Sequence, residues 1–455
     1  MVRSFIVGVG MSPFIKPRGE RETSDMGLEA ATKALIDAGI TYDTVEAAFC
    51  GYCYGDSCCG QRALYNLGMT GIPITNVNNN CSTGSTALYN ANSLVKSGQA
   101  QCALALGFEQ MRPGSLGSNF PDRKPPMVPW ALATAEIEGG TTAKGPAAAR
   151  MFGNGSKEYM NKFGGSYETL AKIAAKNHQH ASKNPYSQFR RPWTAEQVAQ
   201  APKITENLSL LMCCPTSDGA ACCIIASEEF VHAHHLENQA IEIVAQSMAT
   251  DTSTTFESKS AMEIVGYSMT KSAADRTFKA AGIRAGDRSE VGVVELHDCF
   301  AANELLSYDA LGLCEHGKAA AFVDGGDNTY GGKFVVNPSG GLEAKGHPLG
   351  ATGLGMHFYI TTQLRNWAGP MQAPGLFDIA DKRGKYGLVH NIGLGGAVVV
   401  SLVRRPEFWV DGGTDGRARL GYNHAHEARP VTKADVEKAR ATKEYSPYIL
   451  QQAKL

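Results

Sequence analysis

Cys81 is the residue whose setting most favours chemistry. It follows Asn78-Asn79-Asn80, where a short apolar run at 73–77 gives way to Ser82-Thr83-Gly84-Ser85-Thr86. That pattern predicts a strand-to-helix junction with the cysteine at the helix N-terminus. Backbone N–H groups there favour negative charge and lower a thiol pKa from about 8.5. The turn can aim the thiol into a cleft, and the Cys81 N–H can help hold an oxyanion. For this segment alone, a buried structural cysteine is the alternative.

Three further segments carry matching chemistry. His297-Asp298-Cys299-Phe300 stops the apolar run at 291–296, and open α/β sheets place ligands at strand C-termini. Alternation puts His297 and Cys299 on one side of the chain and Asp298 on the other. An imidazole and a second thiol facing one space suit proton transfer; a core Cys299 with a hydrogen-bonded His297 is the plainer alternative. Gly346-His347-Pro348 places another imidazole at a turn before a helix. When neutral it can take a thiol proton or donate to an oxyanion, and otherwise it is a solvated turn residue. Gly393-Leu394-Gly395-Gly396 interrupts an apolar strand. Its amides can complete an oxyanion hole, or it is a β-bulge.

The elements that must position these groups follow from periodicity. Strands are predicted near 4–10, 46–52, 73–77, 102–108 and 218–225, with helices near 24–39, 60–68 and 82–97. A second series has strands near 240–246, 291–296 and 387–403, and helices near 261–281, 302–312 and 348–366. Such alternation predicts an α/β layered fold with a mostly parallel sheet. Each series has a turn opening a small-residue helix, after Cys81 and after His347, and a Gly-led apolar strand, at Gly219 and Gly395. This suggests an internal duplication. The organisation expected is a first half at 1–111 and 209–236, an inserted loop domain at 112–208 with helices near 155–163 and 167–181, a second half at 237–405, and a polar extension at 406–455.

With 455 residues the chain is long enough for two or three domains. A formal net charge of -1 speaks against a nucleic-acid partner, and no uninterrupted apolar run is long enough for a membrane span. Residues 4–10 read as a strand rather than a secretory signal, so the twelve cysteines are expected as free thiols. Cys50, Cys53, Cys58 and Cys59 resemble a metal cluster, but they lack a second separated pair and a nearby His; small apolar core residues are the reading preferred, and no metal is expected. The final Ala453-Lys454-Leu455 is close to the Ser-Lys-Leu peroxisomal address, following a polar tail read as flexible.

Taken together, Asn78-Asn79-Asn80-Cys81-Ser82-Thr83-Gly84-Ser85, His297-Asp298-Cys299-Phe300, Asn337-Pro338-Ser339-Gly340-Gly341 with Gly346-His347-Pro348, and Asn391-Ile392-Gly393-Leu394-Gly395-Gly396 resemble thiolases. The resemblance runs in order over roughly residues 5–405, and is narrower to the sterol-carrier-protein type. Ordinary thiolases have Asn where His297 stands and a catalytic Cys where Asn391 stands. Here Cys299 takes over the second-cysteine role and Asn391 is left without one. Only about 50 residues follow 405, so a fused lipid-carrier domain is not expected.

The resemblance implies a duplicated five-layered thiolase fold, a homodimer, and cleavage of 3-ketoacyl-CoA by CoA to acetyl-CoA (or propionyl-CoA) and a shortened acyl-CoA. It implies that His347 deprotonates Cys81, that His297 and His347 hold the first oxyanion, and that Cys299 protonates the departing enolate. The amides of Cys81 and Gly393 would hold the second oxyanion. CoA is then a substrate, with no tightly bound cofactor; its phosphates need basic contacts such as Arg112, Arg123, Lys124, Lys183, Arg190 or Arg191, each otherwise a solvated charge. A biosynthetic condensing enzyme and a non-catalytic acyl-CoA or lipid-binding protein are the alternatives. The C-terminal tripeptide implies an import receptor and a peroxisomal or specialised-peroxisomal location, with a mitochondrial one open.

Overall fold

A computed structural model describes residues 2–112, 120, 122–140 and 144–450. Ten strands form one sheet: β1 Ser4–Met11, β2 Ala47–Gly51, β3 Ile74–Val77, β4 Cys102–Glu109, β5 Gly219–Ser227, β6 Ile241–Ala249, β7 Val291–Leu296, β8 Val335–Val336, β9 Tyr386–Gly393 and β10 Ala397–Arg404. Their order is β3-β2-β4-β5-β1-β6-β10-β9-β7-β8. Read outward from the centre, β1-β5-β4-β2-β3 mirrors β6-β10-β9-β7-β8, so the duplication is written in the topology. The halves meet through a short β1–β6 pairing, Phe5↔Glu242 and Ile6↔Ile241.

The sheet is mixed rather than mostly parallel. In each half the outer strands run parallel (β2 with β3 and β4; β7 with β8 and β9), while β5 and β10 are antiparallel to their neighbours. In the second half the cause is the turn after Gly393, which folds β9 straight back into β10 as a hairpin; periodicity identifies a strand but not its neighbour's direction. The helix expected over 261–281 is likewise two, Ala261–Ile264 and Tyr267–Ala280, broken at Gly266 in the left-handed region at φ 82°.

Five layers result. The Thr23–Ala38 helix covers one face of β1 and β5, the Tyr267–Ala280 helix covers β6 and β10, and the Thr83–Lys96 and Leu349–Leu364 helices lie between the two halves of the sheet. Strand alternation sorts the side chains between these layers. In β4, Leu104, Leu106 and Phe108 pack in the outer core, whereas Ala103 and Ala105 face inward. Small inward residues let the central helices approach closely. A Cβ at Gly107 would overlap the Gly350 carbonyl, and one at Gly84 would lie 2.6 Å from the same oxygen. The Leu349–Leu364 helix is buried at every position.

Between β4 and β5 lie helices Val128–Ile137, Ala147–Phe163, Tyr167–Ala181 and Ala195–Gln200. They pack on the second half: Ala147–Phe163 on Ala301–Ala310, and Tyr167–Ala181 on Gly341–Lys345. The C-terminal extension is not a flexible tail up to residue 450. It straps the first half, with Arg419 donating to the carbonyls of Ile36 and Asp37 and the Ala441 N–H to Leu67. His424, Ala425, Ala439 and Ala441 are fully buried there. Ala453, Lys454 and Leu455 lie outside the described residues. Among the described residues no helix is long and apolar enough to cross a membrane.

Candidate active site

The three asparagines before Cys81 build its turn. The Asn78 side chain accepts from the Asn80 N–H at 3.0 Å, and Asn80 sits in the left-handed region at φ 51°, which asparagine tolerates. Thr83 Oγ1 accepts from the Asn79 N–H at 2.8 Å and donates to the Asn80 carbonyl at 2.6 Å. The Asn80 amide donates to the Leu394 carbonyl at 2.9 Å, tying this turn to the β9–β10 hairpin. Cys81 is left 7% exposed at the start of the Thr83–Lys96 helix. Burial dominates its titration and pushes the thiol up to about 12, overturning the expectation that the helix terminus lowers it. Cys81 therefore rests as a neutral thiol, and attack by its sulfur would require a base to take the proton.

A candidate for that base is supplied by the second half. Cys81 Sγ and a ring nitrogen each of His297 and His347 lie within 4.8 Å of one another, all buried, and the two rings meet edge to face at 5.1 Å between centroids. The His347 N–H is fixed by Ser217 Oγ at 2.9 Å. Its Nδ1 lies 2.7 Å from Thr352 Oγ1, whose hydroxyl hydrogen goes to the Pro348 carbonyl at 3.0 Å. The hydroxyl therefore accepts from Nδ1–H, and Nε2 carries a lone pair with no partner in the protein. Burial, aided by Lys345, pulls the His347 pKa down to about 3. A neutral imidazole with a bare Nε2 in the same site as a thiol has the chemistry to act as a general base.

His297 follows β7, and its ring Nδ1 lies 2.9 Å from the Asn391 side-chain amide; the same amide lies 3.1 Å from the Cys81 carbonyl. Burial holds His297 well below the usual imidazole range. Cys299, two residues on, is paired across an isolated bridge with the segment before β5: Cys213 faces Phe300, and the Cys214 N–H donates to the Cys299 carbonyl at 2.9 Å. Burial raises the Cys299 thiol well above its usual value, reinforced by the thiols of Cys214 and Cys81 and by Asp298 and Glu343. A thiol held protonated is suited to act as an acid. Asp298 accepts from the Leu342 N–H at 2.7 Å and the Asn177 amide at 2.9 Å, anchoring the Gly341–Lys345 helix.

Gly393 ends β9 directly against the nucleophile's turn. A Cβ there would overlap the Asn79 carbonyl and lie 3.1 Å from the Cys81 nitrogen, so only glycine lets the hairpin close on Cys81. The structure thus gathers Cys81, His297, Cys299, His347 and Gly393 from both halves. It also adds Thr352, Ser217 and Glu109, which pattern reading missed, and Asn391, which it left without a role. Glu109 ends β4 and accepts from the N–H groups of Cys53, Tyr54 and Gly350 at 3.0, 2.8 and 3.0 Å; burial raises its pKa to about 7. A carboxylate closing an otherwise apolar strand was its one visible signal.

Cys50, Cys53, Cys58 and Cys59 do not converge. Cys50 is core, Cys53 and Cys59 are half-buried, and Cys58 is exposed, so the core reading holds for Cys50 alone; none of the twelve cysteines forms a disulfide. Among the described residues, the only group of potential metal ligands is Cys81, His297 and His347. Of the basic residues considered for CoA, Arg112 adjoins Met111, which packs beside Cys81. Arg123 is paired with exposed Asp122, Lys183 lies over Tyr330 and Arg191 over Trp193. Lys124 and Arg190 are exposed.

Comparison with known proteins agrees with this geometry. The thiolase N-terminal domain matches residues 4–229, and the thiolase C-terminal domain-like family matches 251–402. Sterol carrier protein 2 of Oryctolagus cuniculus is 52% identical over 435 residues, 95% of this chain and 76% of that protein. Non-specific lipid-transfer protein-like 2 of Caenorhabditis elegans is 44% identical over 406 residues, 88% and 95% of the two chains. Among solved structures, human mitochondrial 3-ketoacyl-CoA thiolase in complex with CoA superposes with a TM-score of 0.63 at 18% identity, over 89% of this chain and 98% of that one. The mirrored halves are the duplicated thiolase fold, and the chain belongs to the thiolase family, to its sterol-carrier-protein type.

Proposed function

We propose that this chain is a 3-ketoacyl-CoA thiolase that works through an acyl-Cys81 intermediate. The observation that carries the reading is the convergence of a buried thiol and two imidazole nitrogens within 4.8 Å, with the Cys299 thiol, its pKa raised by burial and by neighbouring groups that include Cys81, in the same site. His347 Nε2 takes the Cys81 proton as the sulfur attacks the 3-keto carbon. The oxyanion is held by the N–H groups of His297 and His347. The C2–C3 bond then breaks, and the acetyl-CoA enolate takes its proton from Cys299. The Cys299 thiolate next deprotonates incoming CoA, whose sulfur attacks the acyl-Cys81 thioester. That second oxyanion is held by the amides of Cys81 and Gly393. Collapse returns the His347 proton to Cys81. Covalent catalysis divides one hard carbon–carbon cleavage into two easier steps.

Two further parts of the reading rest on other features. The chain works as a homodimer, for which the half-exposed β3 offers an unpaired sheet edge. Ala453-Lys454-Leu455 engages a peroxisomal import receptor; deleting these three residues from a tagged protein should leave it in the cytosol, and unchanged location would refute the address. The enzymatic test is thiolysis across short, long and branched 3-ketoacyl-CoA substrates, with mass spectrometry for acylated Cys81. Turnover unchanged in Cys81→Ala would end the reading, and binding without any acyl-Cys81 would point to a non-catalytic carrier.

A further inference from the structure

We propose that Asn391 is a positioning residue that decides which nitrogen of His297 carries the proton, making His297 a resident donor of the site and leaving the base role of the two imidazoles to His347. The kinetic consequence rests on the thiolase reading above; the proton's position does not.

The inference starts from the Cys81 carbonyl. A carbonyl oxygen only accepts, so the Asn391 atom 3.1 Å from it must be the amide nitrogen, not the oxygen. The same nitrogen lies 2.9 Å from His297 Nδ1. Its two hydrogens are therefore both spent, one on the nucleophile's carbonyl and one on the imidazole. His297 Nδ1 has to accept, and in a neutral ring its proton then sits on Nε2. Burial holds the ring neutral. The amide oxygen of Asn391 is turned away and wedged beside Gly353, where a Cβ would come within 2.5 Å of it, and it has no hydrogen-bond partner. The expected cost of that orphaned oxygen is tolerated because turning the amide over would strip both the carbonyl and the ring of their donor.

The two histidines are thus set in opposite tautomers by opposite partners. Thr352 accepts from His347 Nδ1, which bares Nε2; Asn391 donates to His297 Nδ1, which protonates Nε2. Once His347 has taken the Cys81 proton, both rings present N–H to the new oxyanion. With His297 in the other tautomer, a lone pair would face that charge instead. The same proton has a second consequence. Cys81, His297 and His347 have the composition of a zinc ligand set, yet with a hydrogen on His297 Nε2 and the Asn391 amide on Nδ1 neither ring nitrogen has a lone pair for a metal until Asn391 is displaced. A site that looks ready for a metal by distance is blocked by its hydrogen bonding.

The test uses the full-length protein labelled with 15N-histidine, with the His297 signals identified by their loss in His297→Gln. The wild type should show a bare, pyridine-type nitrogen at Nδ1 and a protonated one at Nε2. Asn391→Asp keeps the shape but replaces the donor with an acceptor, so the pattern should reverse; Asn391→Ala should give a mixture. Thiolysis kcat should fall steeply in Asn391→Asp, towards the loss of about 10⁴-fold that a wrong tautomer produces in a serine-protease triad, with KM changed far less. Titration with Zn2+ alone should show tighter binding to Asn391→Asp than to wild type. A wild-type His297 protonated at Nδ1 overturns the proposal, and this needs no variant to fold. So does a variant that loses kcat with its His297 signals unchanged, which would mark Asn391 as merely structural. If Cys81→Ala were fully active, the thiolase reading would fall while the nitrogen signals still decided the tautomer.

Discussion

In the first half, β3 leads into Cys81 and the Thr83–Lys96 helix; in the second, β8 leads through the Gly341–Lys345 helix into His347 and the Leu349–Leu364 helix. The topology is the same and the chemistry is not. The first copy supplies the Cys81 thiol, the proposed nucleophile, on a turn built from asparagine side chains. The second supplies both histidines and Cys299. Burial differs too: the second central helix is enclosed at all of its positions, whereas the first leaves Ser93 exposed and Tyr89 and Asn90 half-buried. A duplicated fold brings two equivalent helix N-termini together at its centre. Once that convergence exists, each terminus is free to specialise; in the function proposed above, one holds the atom that attacks and the other the atom that moves the proton.

The comparison breaks most sharply at Cys81. Cys81→Ala should lower thiolysis by at least about 10⁴-fold, as loss of a nucleophile does in other covalent enzymes, read as kcat/KM on a 3-ketoacyl-CoA. Cys299→Ala removes the acid of the other half and should cost about 10²- to 10⁴-fold, while a simple acyl-CoA should still acylate Cys81 in mass spectrometry. If acylation were lost as well, the division of labour between the halves would be wrong. Thr352→Val takes away the acceptor that bares His347 Nε2. A lost buried hydrogen bond of about 1–3 kcal/mol corresponds to a fall of roughly 5- to 150-fold in kcat, to be compared with the Asn391 variants.

Acid should do little to the base. The active form of His347 is the neutral one, present above its pKa, which lies near 3 rather than 6.5. The kcat/KM profile should therefore show no fall between pH 7 and pH 5 attributable to His347. A limb near 6.5 that disappears when His347 is replaced would contradict its burial. The gentlest test is of packing. Gly350→Ala would bring a Cβ within 2.5 Å of the Gly51 carbonyl and 2.9 Å of the Tyr52 Cα, both backbone, and should cost about 1–3 kcal/mol in urea unfolding. Gly355→Ala, on the same helix, meets only the Phe14 ring at 3.2 Å and should cost less.

The site was largely legible because its members sit in short motifs at strand ends, where a thiol or imidazole stands out against apolar neighbours. The strands were legible for the same reason. Their directions were not, since β5 and β10 look alike in sequence whether they run with or against their neighbours. Asn391 heads one of the motifs but was left without a role: a single amide inside the apolar β9 says nothing of its partners, and its meaning depends on what lies opposite. The direction of the Cys81 shift was misread because the helix terminus is a local feature, whereas burial by Met111 and Leu349 comes from distant chain. The extension after 405 reads as polar because its anchors, Arg419, His424 and Ala441, are scattered singly among solvated residues.

The ties between first and last residues set a timetable for manufacture. Asp37, fully buried, takes its ion-pair partner from Arg365 at 2.8 Å, and Arg365 also donates to the Val7 carbonyl at 3.0 Å, where the β1 register shifts. At about 5–20 residues per second, a ribosome that has made Asp37 needs roughly 15 to 65 s to deliver Arg365, 328 positions later, and longer to deliver the strap that covers the Thr23–Ala38 helix. During that interval a carboxylate and an apolar helix face wait without the groups that enclose them.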